Sequence, residues 1–357
     1  MGLKQEIQKT KARKTACKRS KEEKQRLYQQ KQWYSIRALL GNTWCHWFVL
    51  IGARERGKSY SVQDYCLNQF FKKNVPFYWM RLNEAATKNM LMNNGAKMFE
   101  PLLVRKYHLE GIKCKGDSVF LEDGRLLCRV YGLSTAYNNK GSALFDKNTF
   151  KGANIIVDEF QLEKGQKRTF DIVYNLKMQI ENICRSEYKG VRTFFIGNNT
   201  EECSDILSLF NFIPLEWGIY KLKKKNCIID YIPNTEAYEQ RRKTALANEL
   251  DNGTGNFTNK IQRDLTLIYK GRLDRPQYII KFSKSPEDWF TVWTGNVVCQ
   301  YNKEVKPAKA MKRYLDENFT PEIQASIIEM NDARAFRFRS LIVQQRFYYE
   351  LQLIKKT

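Results

Sequence analysis

The sequence predicts an α/β fold built on a mostly parallel sheet, and three observations carry this. The apolar run Phe48-Val49-Leu50-Ile51 reads as a buried strand and leads directly into a glycine-containing loop and then a helix, Lys58 to Lys73. Strands and helices go on alternating from Phe48 to Asn199. At 357 residues the chain is long enough for a second domain with its own core.

The loop is Gly52-Ala53-Arg54-Glu55-Arg56-Gly57-Lys58-Ser59, which meets every specified position of G-x-x-x-x-G-K-[ST]. Its glycines let backbone N–H groups turn inward toward phosphates. The helix that follows adds the partial positive charge of its N-terminus. Lys58 is expected to reach the β- and γ-phosphates of ATP, and Ser59 to ligate Mg²⁺. Tyr60 comes next and borders the same site. The helix itself shows Tyr65, Cys66, Gln69, Phe70 and Lys73 at spacings of three and four.

The remaining elements follow in order. Trp33 to Leu40 is apolar enough to pack. Val75 to Arg81 reads as a strand, and Asp117 to Leu133 as a hairpin turning at Asp123-Gly124. Ala153 to Val157 is a compact apolar run that ends in Asp158-Glu159. Thr169 to Cys184 is amphipathic, with Phe170, Val173, Leu176, Ile180 and Ile183 on one face. Val191 to Ile196 is another strand, ending in Gly197-Asn198-Asn199.

Composition then shifts. Glu236 to Asn259 is polar and reads as a linker with a short helix. Beyond it, Tyr278 to Phe282 and Trp289 to Trp293 read as strands, and Thr294-Gly295-Asn296 as a turn before Val297-Val298-Cys299. Asp332 to Ile354 reads as one basic helix with Phe336, Leu341, Phe347 and Leu351 as its apolar positions. The expected organisation is a basic arm (1–32), the loop-bearing α/β domain (33–235), a linker (236–265) and a small α+β domain (266–357). There is no internal repeat.

An apolar fraction of 43%, with 13% aromatic residues, argues for a folded chain. The nine cysteines are scattered without zinc-type pairs and there are two histidines, which argues against a Cys/His metal site and suits a reducing compartment. No apolar run approaches the roughly twenty residues of a membrane span, and the N-terminus is too charged for a signal peptide. Net charge is +23, which points to a polyanionic partner. The first 31 residues hold 11 Lys+Arg against 3 Glu, as a solvated helix, a disordered arm or a nucleic-acid contact would.

Asp158-Glu159 adds hydrolysis to nucleotide binding. An aspartate at the end of a buried strand can hold a water on a phosphate-bridging Mg²⁺. A glutamate directly after it can orient and polarise the attacking water. Together they read as a P-loop ATPase of the additional-strand, catalytic-glutamate type. Asn198, at the next strand tip, is either a γ-phosphate sensor or a turn residue. Arg185, at the end of the amphipathic helix, is either an arginine finger for a neighbour's nucleotide or a solvated helix C-terminus. Lys140 is expected to contact phosphate or DNA, or to be solvated. Arg81, after the second strand, is expected to face DNA.

With these residues in view, the chain resembles a known family: the genome-packaging ATPases (encapsidation proteins) of small short-tailed phages with protein-primed linear DNA, which are similar to large terminases. The resemblance is carried by Phe48 to Arg54 with Gly57-Lys58-Ser59-Tyr60, by Ile155 to Phe160, and by Val191-Arg192 to Asn198. It continues in Phe210-Asn211-Phe212-Ile213-Pro214, in Arg241-Arg242-Lys243-Thr244 and in Asp251-Asn252-Gly253-Thr254. It implies a pentameric ring that docks on a procapsid portal in the host cytoplasm and moves double-stranded DNA by ATP hydrolysis. In relatives a structural RNA ring can sit between portal and ATPase. It implies nucleotide and Mg²⁺ binding by Lys58 and Ser59, hydrolysis by Asp158 and Glu159, and a trans finger at Arg185. Arginines such as Arg54 and Arg56 occur in the loops of viral packaging motors, where they help fix the γ-phosphate. Matching the finger needs a one-residue insertion between Cys184 and Val191, which leaves Ser186 as the competing position. The arm before Trp33 has no counterpart.

The C-terminal domain of related large terminases is a nuclease that needs clustered carboxylates. Here the candidate first strand, Gln277 to Phe282, has no acid, and Glu287 and Asp288 would point apart on a strand. A nuclease-like fold without cleavage that binds DNA or structural RNA is expected. A ring helicase, and a scaffold whose nucleotide serves only assembly, are the competing functions. Unwinding of a fork distinguishes the first, and turnover indifferent to Glu159→Gln the second.

Overall fold

The computed structural model describes residues 21–138, 152–162, 170–185, 190–198, 204–214, 216–243, 265–281, 289–300, 312–314 and 320–354. Lys140, Ser186, Asn199, Glu287, Asp288, the 251–254 stretch and the first twenty residues of the basic arm lie outside them. The chain forms two compact units. One comprises Met1–Thr200 with Glu216–Lys260, the other Glu201–Leu215 with Ile261–Thr357.

In the first unit β1 (Trp47–Ile51), β2 (Phe77–Arg81), β5 (Leu126–Gly132), β6 (Ala153–Asp158), β7 (Val191–Gly197) and β9 (Cys227–Tyr231) are parallel. With the antiparallel edges β3 (Lys113–Lys115), β4 (Ser118–Phe120) and β8 (Gly218–Leu222), the order is β3-β4-β5-β2-β6-β7-β1-β9-β8. Strands covered on both faces need unbroken apolar runs. Accordingly every residue of β6 is buried, as are Phe48 to Ile51 of β1. The expected hairpin is β4 and β5.

Helix α1 (Lys21–Gln29) and the short α2 (Arg37–Leu40) precede β1, and α3 (Lys58–Lys73) follows the loop. Helices α4 (Glu84–Gly95) and α5 (Pro101–Tyr107) come after β2, and α6 (Ile172–Cys184) links β6 to β7. Asp171 caps α6 by accepting from Tyr174 N at 2.9 Å. The buried stripe of α6 is Ile172, Asn175, Leu176, Gln179, Ile183 and Cys184. It is rotated from the expected face because Asn175 turns inward to donate to Leu133 O at 2.8 Å.

Two boundaries differ from expectation. The first part of the supposed linker is helix α8 (Glu236–Lys243), which belongs to the first unit with Tyr238 buried. Conversely α7 (Asp205–Leu209) groups with the second unit although it lies in sequence between β7 and β8. Arg346 donates to Ser208 O at 3.3 Å, and Ile213 packs on Leu341 and Ile342.

The second unit has five strands in the order β13-β10-β11-β12-β14. β10 (Pro276–Lys281), β11 (Trp289–Trp293) and β12 (Val297–Gln300) form an antiparallel meander. β13 (Lys312–Tyr314) lies parallel to β10, and β14 (Arg337–Phe338) parallel to β12. Asp332 to Ile354 is not one helix. α9 (Pro321–Asp332) stops there, Arg334 takes a positive φ of 54°, β14 follows, and α10 (Leu341–Ile354) begins after Ser340. Phe336 and Phe338 alternate inward onto Phe347, at 5.1 and 5.5 Å between ring centroids, which makes the segment extended. Among the described residues no helix is long and apolar enough to cross a membrane.

Candidate active site

Parallel strands present their C-terminal ends along one edge of the sheet, and the candidate residues meet there in a cavity of about 1110 Å³. The loop leaves β1 through Gly52, where a Cβ would lie 3.0 Å from Ile232 Cβ on β9's continuation. Gly57 has φ +84° and opens α3, a conformation that disfavours any side chain. Lys58 is buried and folds back on its own loop. It donates to Gly52 O at 2.8 Å, Ala53 O at 2.6 Å and Asn198 Oδ1 at 3.4 Å. Burial pushes its pKa down to about 7, while the Asp158 carboxylate pulls the other way.

Asp158 and Glu159 end β6 across the cavity from Lys58. The carboxylate of Asp158 is raised from its ordinary range, first by burial and then by Glu159, with Arg81 opposing. Glu159 adopts φ 54°, and its N–H donates to Ile196 O at 2.8 Å. A glutamate held left-handed costs about 1 kcal/mol or more, and such strain clusters at functional positions. Arg81 does not point away toward a DNA partner. It bridges the acidic pair, Nη2 to Asp158 Oδ2 at 3.0 Å and Nη1 to Glu159 Oε2 at 2.8 Å. The register explains this: Met80 of β2 stands opposite Val157 of β6, so Arg81 follows level with Asp158.

Arg56 is 1% exposed and lines the cavity, with its guanidinium tied to the neighbouring chain. Its Nη1 donates to Gln32 O at 2.7 Å, and its guanidinium lies 5.4 Å from the Tyr238 ring centroid. It therefore pins the loop to the segment before α2. Helix α8 closes the same side. Tyr238 Oη donates to Arg54 O at 2.9 Å, Arg241 Nη2 to Glu55 O at 2.6 Å, and Arg242 pairs with Glu55 at 3.1 Å. Arg241 also stacks 4.0 Å over Trp33, which packs beside Gly57. Behind the loop Tyr34 donates to buried Asp230 at 2.8 Å, and burial lifts that carboxyl to about 6.

Ser59, Tyr60, Arg54, Glu55 and Asn198 line the cavity, while Gly52 and Ala53 are not among its lining residues and their carbonyls accept from Lys58. Arg185 is elsewhere. It caps α6, which runs back from the C-terminal ends of the strands to the start of β7, at the opposite edge of the sheet. Residues 28–355 match the family described as Podovirus DNA encapsidation protein (Gp16). The chain belongs to this family. Its function is that of a DNA-packaging motor protein. No curated protein matches the sequence.

Two solved structures share the fold of this family member. The Phi-28 gp11 DNA packaging motor has 16% identity and a TM-score of 0.63, over 89% of this chain and 98% of that one. The chain in the bacteriophage Phi-29 viral genome packaging motor assembly has 17% identity and a TM-score of 0.56, over 91% and 99%. The likeness covers an α/β fold with a large, mostly parallel sheet.

Three features of the site have no local signal in the sequence: the Arg81 bridge, the structural placement of Arg56 and the α8 clamp. Each joins segments far apart in the chain. Arg81 lies 77 residues from Asp158, and Arg241 lies 186 residues from Glu55. The run Arg241-Arg242-Lys243 at a helix end is the one hint of the clamp.

Proposed function

We propose that the first unit hydrolyses ATP in this cavity and that the energy drives double-stranded DNA into a procapsid. The observation that carries the reading is the meeting of Lys58 with Asp158 and Glu159 in one cavity. Lys58 gives up its loop carbonyls to hold the β- and γ-phosphates, and the N–H groups of the loop cradle them. Glu159 takes the proton of the attacking water once Arg81 has moved off it. Among the described residues no three His, Cys, Asp or Glu side chains cluster. Ser59 and Asp158 are the residues that would hold Mg²⁺, and the ion would supply neutralisation of phosphate charge. The position of β7 between β1 and β6 supports the additional-strand, catalytic-glutamate class.

Arg185 is not among the residues that line its own cavity, which supports a role as a finger in a neighbour's site. That requires a ring, which we take to be a pentamer. The resemblance to packaging motors supports docking on the portal vertex in the host cytoplasm, with a structural RNA as a further partner. For the second unit, a meander with a parallel strand beside β10 supports an RNase H-like fold, and β10 carries no acid. A nucleic-acid-binding role without cleavage follows.

The test is steady-state ATP hydrolysis with and without double-stranded DNA, for the parent and Glu159→Gln, at ring-forming concentration. DNA-stimulated turnover that falls about a hundredfold or more in the variant, with nucleotide still bound, is expected. Turnover that is absent or indifferent to the substitution reduces the cavity to a binding site.

A further inference from the structure

Helix α3 sends Val62, Cys66, Leu67 and Phe70 into the core. Gln63 lies on the same buried side and is 4% exposed, where an apolar residue would pack without leaving a polar group dry. It comes one helical turn after Ser59, and residues four apart lie one above the other on a helix. Helical side chains also lean toward the N-terminus, so Gln63 covers the turn that presents Ser59. Both residues line the cavity, together with Asp158. That turn is fixed from outside, since Ile36 N donates to Ser61 Oγ at 2.9 Å.

Gln63 Oε1 has no hydrogen-bond partner. Among the described residues that line the cavity it is the one buried side-chain acceptor in that state. The neighbouring Asp64 also lines the cavity, but its carboxylate is taken by Lys106 and by Tyr107 Oη, the latter at 2.8 Å. A buried carbonyl without a donor costs stability, and a ligand that completes it is one reason to keep it. The chemistry of the missing donor is narrow. Ionised phosphate oxygens only accept, so they cannot satisfy this carbonyl. Mg²⁺ held by one or two protein oxygens and by phosphates keeps several of its waters, and those waters donate. Outer partners of this kind orient a metal site and tune its affinity.

We propose that Gln63 is a positioning residue for the Mg²⁺ of bound nucleotide, its Oε1 accepting a hydrogen bond from a water of the ion's hydration shell. The inference rests on the reading that this cavity holds Mg²⁺ and ATP. The test is calorimetric titration of the full chain with a non-hydrolysable ATP analogue, in EDTA and in Mg²⁺. It reads the gain in affinity that the ion brings. Gln63→Met and Gln63→Leu remove the acceptor and keep an apolar filling of similar size. Gln63→Glu keeps an acceptor.

Both apolar variants are expected to unfold at or above the parent's temperature, because the stranded carbonyl is gone. Their affinity in EDTA stays within about twofold of the parent, while the gain from Mg²⁺ falls about tenfold or more. Gln63→Glu retains the gain. A purely structural glutamine would shift the unfolding temperature and leave the gain alone. Equal losses with and without the ion mean that Gln63 serves the nucleotide itself, through a ribose or amino donor or through an amide turned to donate to phosphate, and overturn the proposal. A gain unchanged in both apolar variants overturns it too, and leaves the ion to Ser59 and Asp158. Failure of the underlying reading shows in the parent alone, as a chain that binds no nucleotide or gains nothing from Mg²⁺, and it removes the proposal with it.

Discussion

Arg81 holds Glu159 by one guanidinium nitrogen at 2.8 Å and Asp158 by the other at 3.0 Å. Both carboxylates are engaged by one guanidinium, which a water approaching Glu159 must displace. A metal on Asp158 must also displace the same side chain. If the cavity hydrolyses ATP as proposed, Arg81 has to leave the acidic pair first, and β2, which carries it, is the strand beside β6.

Arg81→Ala should raise DNA-independent ATP turnover while reducing stimulation by DNA. Glu159 is half exposed, so the pair is worth about 1 kcal/mol after screening. That corresponds to about a fivefold rise. Turnover measured without DNA, at saturating Mg²⁺, checks this. A fall in basal turnover instead would give Arg81 a direct catalytic task.

Lys58 gives the site a pH dependence. Its pKa in the folded, nucleotide-free chain is about 7, against 10.5 when exposed, and burial is the main cause. Below about 7 the folded protein carries a buried ammonium that the unfolded chain would solvate. Stability from this group is thus present above 10.5 and lost as pH falls through about 7. Nucleotide binding has the opposite preference, since phosphate needs the ammonium. Affinity for ATP should weaken by up to about tenfold per pH unit above 7 until another group intervenes. Calorimetry in buffers of different ionisation enthalpy should find a proton taken up on binding. No uptake at pH 8 would mean that Lys58 is already charged.

The loop was legible because its whole signal is contiguous: strand, glycines, lysine and helix fall within about thirty residues. The acidic pair was legible because a buried run ending in two carboxylates costs too much to be casual. What escaped was pairing across distance. Nothing near Arg81 or Arg56 says that one will bridge acids and the other vanish under the loop. The misread helix after Asp332 fails for a related reason. Phe336 and Phe338 fit either a helix or a strand until β12 supplies a partner.

Arg56→Ala should act on stability rather than on chemistry. The guanidinium is buried, bonded to Gln32 O, and stacked near Tyr238. Removing it strands that carbonyl and opens a cavity beneath the loop, at a cost of about 3 kcal/mol. Thermal unfolding should drop by roughly 10 °C, on the scale of a unit of some 200 residues. At temperatures where the variant is folded, turnover per site should stay within a few-fold of the parent. A hundredfold loss with normal stability would return Arg56 to the phosphates.

Arg185 sits at φ 51°, ψ −123°, a conformation that glycine adopts readily and arginine does not. If its task were only to end α6, Arg185→Gly would be favourable, gaining about 1 kcal/mol by relieving the strain. A finger predicts a split result: a more stable protein whose turnover falls by about a thousandfold. The two readings also differ in how activity depends on neighbours. A trans finger makes turnover rise faster than linearly with protein concentration. Rings mixed from Arg185→Gly and Glu159→Gln chains then recover activity wherever an intact cavity meets an intact finger. Stability gained with turnover unchanged would leave Arg185 as a strained cap with no catalytic part.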